Sequence, residues 1–413
     1  MTASGDPLFA GLFAQAPHAR RKVPTTAVHM DERPGGRYRK IDLDALVGLG
    51  LTDRNGRPMV ECRPFLSSVR VDIEAVAIDD DPAGPELHEE PYAGAHLQTH
   101  FNIGTTAYYI LRDAVVHTSA GVVLVGDYLV GDTLANVNPH AYDMGVGPEP
   151  DVFRLSCRKT RRLPGRALHL LAGGGDTSYY HWLIDILARL TVPVPDDPPD
   201  VLVLPELILP FQVDSLQMLS QFRSIDHCTV GRDETLVVDE LIFVPNLSGF
   251  GWAHRPESLG IFDQMRATLG DVNPRGRRIY VSRQNASARP LVNEGEVIEL
   301  LSRHGYEIVE LEKLDVATQA RTFAEASHIV APHGGGLANL VFAHAGAAVF
   351  ELHLNHYVNW CFQRLANVRG LRYRCLVGIG EGPRNPDWPH HTRWSVDMGR
   401  LRERLAQDGF IAL

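Results

Sequence analysis

Hydrophobic and polar positions change rhythm twice along the 413-residue chain. The first 60 residues show little periodicity and are rich in Pro, Gly and Arg (PGGRYR, NGRP), which reads as an irregular lead-in with one short helix near Ile41–Leu49. From Glu61 to Thr133, runs rich in Val, Ile and Tyr (VRVDIEAVAI, TAYYILRDAVVHT, GVVLVGDYLV) are punctuated by Gly and Asp, the pattern of β-hairpins. Strand–helix alternation begins near Arg166. ALHLLA (167–172) and VLVLP (201–205) read as buried strands. SYYHWLIDILARL (178–190) reads as a helix with Tyr179, Trp182, Leu183, Ile186, Leu187 and Leu190 on one face. A helix is expected over Asp214–Phe222, and TLVVDELIFVPN resumes as strand.

The last third is the most regular. Strands are predicted at 277–283, 306–311, 328–332, 347–352 and 372–378, with helices at Asn293–His304, Val316–Ala326, Leu337–Phe342 and Tyr357–Arg369 between them. Asn293 with Glu296 reads as an N-cap with an acid at N3, and Gly305 as the glycine beyond the C-cap. This alternation predicts right-handed βαβ crossovers and a parallel sheet. The fold class is therefore α/β: two α/β domains, the first preceded by a β-rich extension. The expected divisions are a lead-in at 1–60, an N-terminal domain at 61–260, a second domain at 275–385, and a tail at 386–413 that can pack back on the N-terminal domain.

Composition narrows the class without naming a chemistry. The chain is 44% hydrophobic and 22% charged, as in ordinary globular proteins, and holds no apolar run of about 18 residues, so no membrane-spanning helix is expected. The charges near the N-terminus follow its short apolar patch, the wrong order for a secretory signal. A formal charge of −10 argues against nucleic acid as a partner but leaves room for a small phosphorylated ligand. Five widely spaced cysteines and no CxxC pair argue against a disulfide framework, and a cytoplasmic setting is expected. The oligomeric state is not legible.

The strongest motif is VAPHGGGLANLVF (330–342): a strand ending at Pro332, then Gly334, Gly335 and Gly336, then a helix. Glycines let backbone approach a phosphate, helix starts offer free N–H groups, and His333 is placed to donate to a phosphate oxygen. It is neither a Walker loop nor a GxGxxG fingerprint. The next strand carries Glu351, placed to accept from ribose hydroxyls. YVSRQNASARPLVNE ends a strand in Arg283 and continues to Arg289, which suits a diphosphate. Each of these residues also has a bland reading, as a packing turn, a surface acid or a solvated arginine. On 178–190, His181, Asp185 and Arg189 lie at i, i+4, i+8; they fit a general base with its partner, or simply a polar helix face. Asp79, Asp80 and Asp81 form an acidic run, and His353, His356, His390 and His391 lack the context of a zinc site.

Taken together, Ser282-Arg283, Arg289 with Asn293-Glu294, His333–Asn339, and Glu351-Leu352 resemble the ordered motifs of glycosyltransferase family 61, and YYHWLIDILARL resembles its aromatic-His-x-x-x-acid helix. Gly335 stands where that family commonly has Ala. The resemblance implies a GT-B fold: two Rossmann-like domains facing across a cleft, the second binding the donor. It implies an inverting transfer of sugar from a nucleotide-diphosphate donor, with a UDP-sugar the first expectation. No metal or other cofactor is required, the acceptor is a hydroxyl of a glycan or another molecule, and the setting is polysaccharide (capsule-type) biosynthesis. It also implies roles: Asp185 or His181 as base; Arg283, Arg289, Asn293, His333, Gly334, Gly335, Gly336, Asn339 and Glu351 on the nucleotide sugar. A catalytically inactive nucleotide-binding or scaffold protein is the competing expectation.

Overall fold

The computed structural model describes residues 25–27, 36–78, 87–90, 93–135, 137, 144–146, 152–155, 159–191, 199–206, 209–219, 225–272, 274–386 and 389–412. The acidic run Asp79–Asp81 and Cys157 lie outside them. The chain is mixed α/β and divides into two compact units, each built from discontinuous stretches. Among the described residues, no helix is long and apolar enough to cross a membrane.

One unit comprises residues 1–66, 106–182 and 192–245. Val69–Asp72 of the expected hairpin region pairs with His100–Ile103 in a separate two-stranded sheet, whereas, among the described residues, Val60–Leu66 and the strands of residues 106–130 join those of the expected α/β region in one twelve-stranded sheet. Its antiparallel centre, Thr106–His117 against Glu234–Phe243, passes directly into a parallel edge formed by Lys159–His169, Val201–Pro205 and Asp226–Val230. That part of the β-rich extension is thus continuous with the strands read as a separate α/β layer. Local periodicity sees individual strands, whereas which strands pair is decided by a shared apolar core that runs from Leu111 and Val116 through Leu163, Val203 and Val238.

The other unit comprises residues 67–105, 183–191 and 246–413. Its sheet runs, by position, Glu307–Val309, Arg277–Val281, Ala326–Pro332, Ala348–Leu354, Arg372–Gly380, Trp394–Ser395. The first five strands are parallel and the last antiparallel. All five strands predicted for this region are present, as are helices Glu294–Arg303, Val316–Glu325 and Cys361–Arg369. Gly305 and Gly370 sit at φ +77° and +74°, the left-handed backbone that lets a chain leave a helix without a Cβ clash. In sequence the order is 2-1-3-4-5: the chain moves outward from the first strand, then returns across it to the third. That reversal leaves a crevice at the C-terminal ends of Arg277–Val281 and Ala326–Pro332, where ligands of open parallel sheets bind.

Three local expectations change. Asn293 does not cap its helix with its side chain; its amide instead donates to the Val396 carbonyl (2.8 Å) and accepts from the Val396 N–H (3.2 Å). The segment after the glycines is a 3-10 helix, Gly335–Phe342. The run 178–190 is a turn of α-helix (Tyr179–His181), a π segment (Trp182–Ile186) and a 3-10 segment (Leu187–Thr191). Its polar face is not solvated, because Asp185 and Arg189 are buried with the apolar residues.

The tail belongs to the second unit's core. Trp394, Val396, Leu401, Leu405 and Phe410 pack with Tyr280, Val330 and Phe350. The Trp394 indole donates to the Arg289 carbonyl at 2.9 Å. Trp394→Ala, which empties a fully buried site, is expected to cost about 3–5 kcal/mol of stability, read as a lowered urea midpoint. A midpoint unchanged from the parent would show that the tail is dispensable.

Candidate functional site

The crevice is built from two strand ends. After Val281 the chain turns, and the buried Glu294 carboxylate pins that corner. Its Oε1 accepts from the Tyr280 hydroxyl (3.1 Å), the Ser282 hydroxyl (3.0 Å) and the Arg283 backbone N–H (2.7 Å). Arg283 is thereby aimed at the neighbouring strand end, where His333 and Gly334 follow Pro332. A Cβ on Gly334 would lie 1.9 Å from the Arg283 Nη1, so glycine is required by the guanidinium packed on its backbone. The Gly334 φ is 174°, ordinary extended backbone; space alone selects the residue.

Arg289 brings a second positive charge. It is a non-glycine residue at φ +52°, a conformation that costs about 1–3 kcal/mol and persists only where surroundings impose it. Here they do: its N–H donates to the His390 carbonyl at 2.7 Å, and its carbonyl receives the Trp394 indole. Its guanidinium lies over the Tyr357 ring, 5.3 Å from the centroid, and donates to His390 Nδ1 at 2.9 Å. Neither arginine makes an ion pair among the described residues, and the Nε of each is buried without a hydrogen-bond partner. Burial and the charge of Arg289 lower the Arg283 guanidinium to about 10. Two like charges are thus held near each other with a buried donor of each left open.

Behind the arginines, His333 Nδ1 stands 2.5 Å from Glu351 Oε1. Tyr373 donates its hydroxyl to Glu351 Oε2 at 2.5 Å, and His353 Nε2 meets that hydroxyl at 3.0 Å. Burial pushes the His333 imidazole down to about 4, against the pull of the Glu351 charge. The Glu351 carboxyl is held below its ordinary value by both imidazoles although burial alone would raise it. These are also the three residues, among those described, whose ligand atoms converge within 4.8 Å. Two ligands of a tetrahedral zinc, each at about 2.0–2.1 Å, stand about 3.3 Å apart. At 2.5 Å the pair is a hydrogen bond, and the trio is bonded to itself.

This geometry revises several assignments. Glu351 is fully buried with both oxygens engaged, so it orients His333 and has no oxygen free for a ribose. Asn339 is also fully buried, its amide donating to Gln319 Oε1 (2.9 Å) and the Gly336 carbonyl (3.0 Å), which fixes the glycine loop from behind. Asn293 anchors the tail. Arg283, Arg289, His333 and Gly334 remain together at the crevice. Tyr373 was not read from the sequence, Glu294 appeared there only as part of a motif and His390 only as a histidine without zinc context; the role of each here depends on a partner at least 11 residues away.

Asp185 lies in the same unit as this crevice; His181 lies in the other, where a Cβ on Gly174 would press on its ring at 2.8 Å. The buried Asp185 Oδ1 accepts from Asn246 Nδ2 (2.7 Å) and the Ser248 hydroxyl (2.9 Å). Nearby His254 is lowered to about 4 by burial, against the Asp185 charge, and bonds the Cys361 backbone. Phe362, the next residue, packs against His333 at 5.3 Å. The π segment that carries Asp185 is a type of irregularity frequent at functional sites. A cavity of about 950 Å³ in the other unit is also rich in charge, but four of its five arginines are paired: Arg57 with Asp53, Arg112 with Glu61 and Glu240, Arg162 with Asp113 and Asp239, and Arg166 with Glu240.

The buried imidazoles set an acid limit. His333 and His254 titrate in the folded chain near 4 and in the unfolded chain near 6.5. Between those values the unfolded chain binds protons that the folded chain does not, so stability falls as pH drops through that window. Thermal midpoints should decrease from pH 6.5 toward 4; a flat profile would mean the imidazoles are not held neutral.

No curated protein matches the chain. Residues 179–350, which run from the aromatic-His-x-x-x-Asp segment through the arginines and the glycine loop to the strand bearing Glu351, match the family model Glycosyltransferase 61. Over that stretch, which is less than half of its length, the chain is similar to glycosyltransferase family 61.

Proposed function

We propose that this chain is a glycosyltransferase that takes its sugar from a nucleotide-diphosphate donor, first among them a UDP-sugar, and passes it with inversion to a hydroxyl of a glycan or similar acceptor in polysaccharide biosynthesis. The observation that carries the reading is the unneutralised pair Arg283 and Arg289 at the switch point of the parallel sheet, with His333 beside them. When a diphosphate leaves the anomeric carbon, negative charge develops on its bridging oxygen. Fixed guanidiniums in a site that is mostly dry stabilise that charge without reorganising. Arg is suited to this because its planar fork can bind two oxygens at once. These groups supply the charge compensation with no metal in the scheme.

Inversion needs a base on the face opposite the leaving group, and Asp185 is assigned that role. Asn246 and Ser248 hold the carboxylate in place by donating to Oδ1. A positioned base contributes about 10²–10⁴ in rate. His181 is the alternative base from the sequence.

Three variants separate these roles. Gly334→Ala displaces the Arg283 guanidinium, and Arg283→Ala removes charged hydrogen bonds worth about 1.5–3 kcal/mol each. Both should weaken UDP binding by at least tenfold and reduce transfer and donor hydrolysis together. Asp185→Asn should lose transfer by about 10²–10⁴ while still binding UDP. Near-normal turnover in Arg283→Ala removes the leaving-group role, and loss of UDP binding in Asp185→Asn makes that residue structural. Tight UDP binding by the parent without turnover of any donor would favour the non-catalytic reading.

A further inference from the structure

The chain Tyr373–Glu351–His333 crosses three adjacent strands and ends at the proposed anion site, and its hydrogen-bond directions can be followed atom by atom. An ionised carboxylate only accepts, so His333 Nδ1 carries the proton it shares with Glu351 Oε1. The Tyr373 hydroxyl spends its one proton on Glu351 Oε2, so it accepts from His353 Nε2. The His333 tautomer is fixed from behind, and its Nε2 is left with a lone pair and no protein partner among the described residues. A lone pair cannot donate to a phosphate oxygen.

We propose that Tyr373 and Glu351 are positioning residues that hold His333 with Nδ1–H turned inward, so that Nε2 takes up one proton from solvent when a nucleoside diphosphate binds and, keeping it, donates a hydrogen bond to a phosphate oxygen. This rests on the nucleotide-donor reading above. In the free protein, two influences keep Nε2 bare: the ring is buried between His353, Tyr357 and Phe362, and Arg289 acts on it as a like charge, with Arg283 on the adjoining Gly334. The groups facing His333 are therefore Glu351, His353, Tyr357 and the two arginines, with Tyr373 acting through Glu351. A bound diphosphate cancels the repulsion from the arginines and adds its own attraction, while Glu351 already waits as counter-ion to the imidazolium. No redox or covalent step is involved; one N–H bond forms at Nε2, and the proton comes from buffer.

The test is calorimetric titration of the full chain with UDP, and in parallel GDP, in buffers of different ionisation enthalpy between about pH 5.5 and 7, the range where imidazoles titrate. The ligand's own phosphate titrates near pH 6, so the readout is the difference between the parent and His333→Gln. The parent should take up close to one proton more per UDP bound than His333→Gln. Glu351→Gln, which keeps the shape but not the charge, should match His333→Gln in proton count and bind UDP about tenfold more weakly. Tyr373→Phe removes a donor that drains charge from Glu351, so the carboxylate becomes a stronger partner for the imidazolium. NMR titration of the free variant should then show His333 gaining its proton at a higher pH than in the parent. A purely structural tyrosine would lower stability without moving that titration. Equal proton counts in parent and His333→Gln, with UDP bound by both, would overturn the proton uptake and leave the nucleotide reading standing. Failure of UDP, GDP and inorganic pyrophosphate alike to bind would overturn both.

Discussion

The site depends on keeping two arginines close together without an acid between them. Like charges in a half-buried place repel and lose hydration, and the free protein must carry that cost. The fold meets it in small parts. Glu294 pins the corner before Arg283, Gly334 gives up its side chain so that the guanidinium can lie on its backbone, and Trp394 and His390 hold Arg289 in a left-handed conformation. Under the proposed function, these contacts hold the two guanidiniums ready for an anion, while Trp394 also packs in the core.

The parallel sheet explains where the proposed anion site lies. Reversal of strand order after the second strand opens a crevice at the ends of Arg277–Val281 and Ala326–Pro332. Charge repulsion, the strained Arg289 and the glycine loop converge on that one place. The charged cavity of the other unit differs, because all but one of its guanidiniums face carboxylates.

The C-terminal sheet was largely legible from sequence because its strands are short, continuous apolar runs separated by helices with strong periodicity. Arg283, His333 and Gly334 could be picked out as candidates for a related reason: they follow closely after apolar runs, at strand ends where parallel βα units gather polar groups. What escaped was pairing across long separations. The helix at 178–190 looked amphipathic because Asp185 and Arg189 fall on one face. Only residues some 60 positions later, Asn246 and Ser248, bury Asp185 and make that face internal. Glu351 looked like a ribose acceptor until Tyr373, 22 residues on, took its second oxygen. The hairpins of the N-terminal sheet were visible as strands, but no local signal tells that they continue into a parallel edge.

The most direct measurement of the central claim is a crystal structure of the chain soaked with UDP. The account predicts diphosphate density within hydrogen-bond distance of Arg283 and Arg289, against the backbone at Gly334, with the His333 imidazole on one phosphate oxygen. UDP ordered elsewhere, with no anion at Arg283 and Arg289, would contradict it.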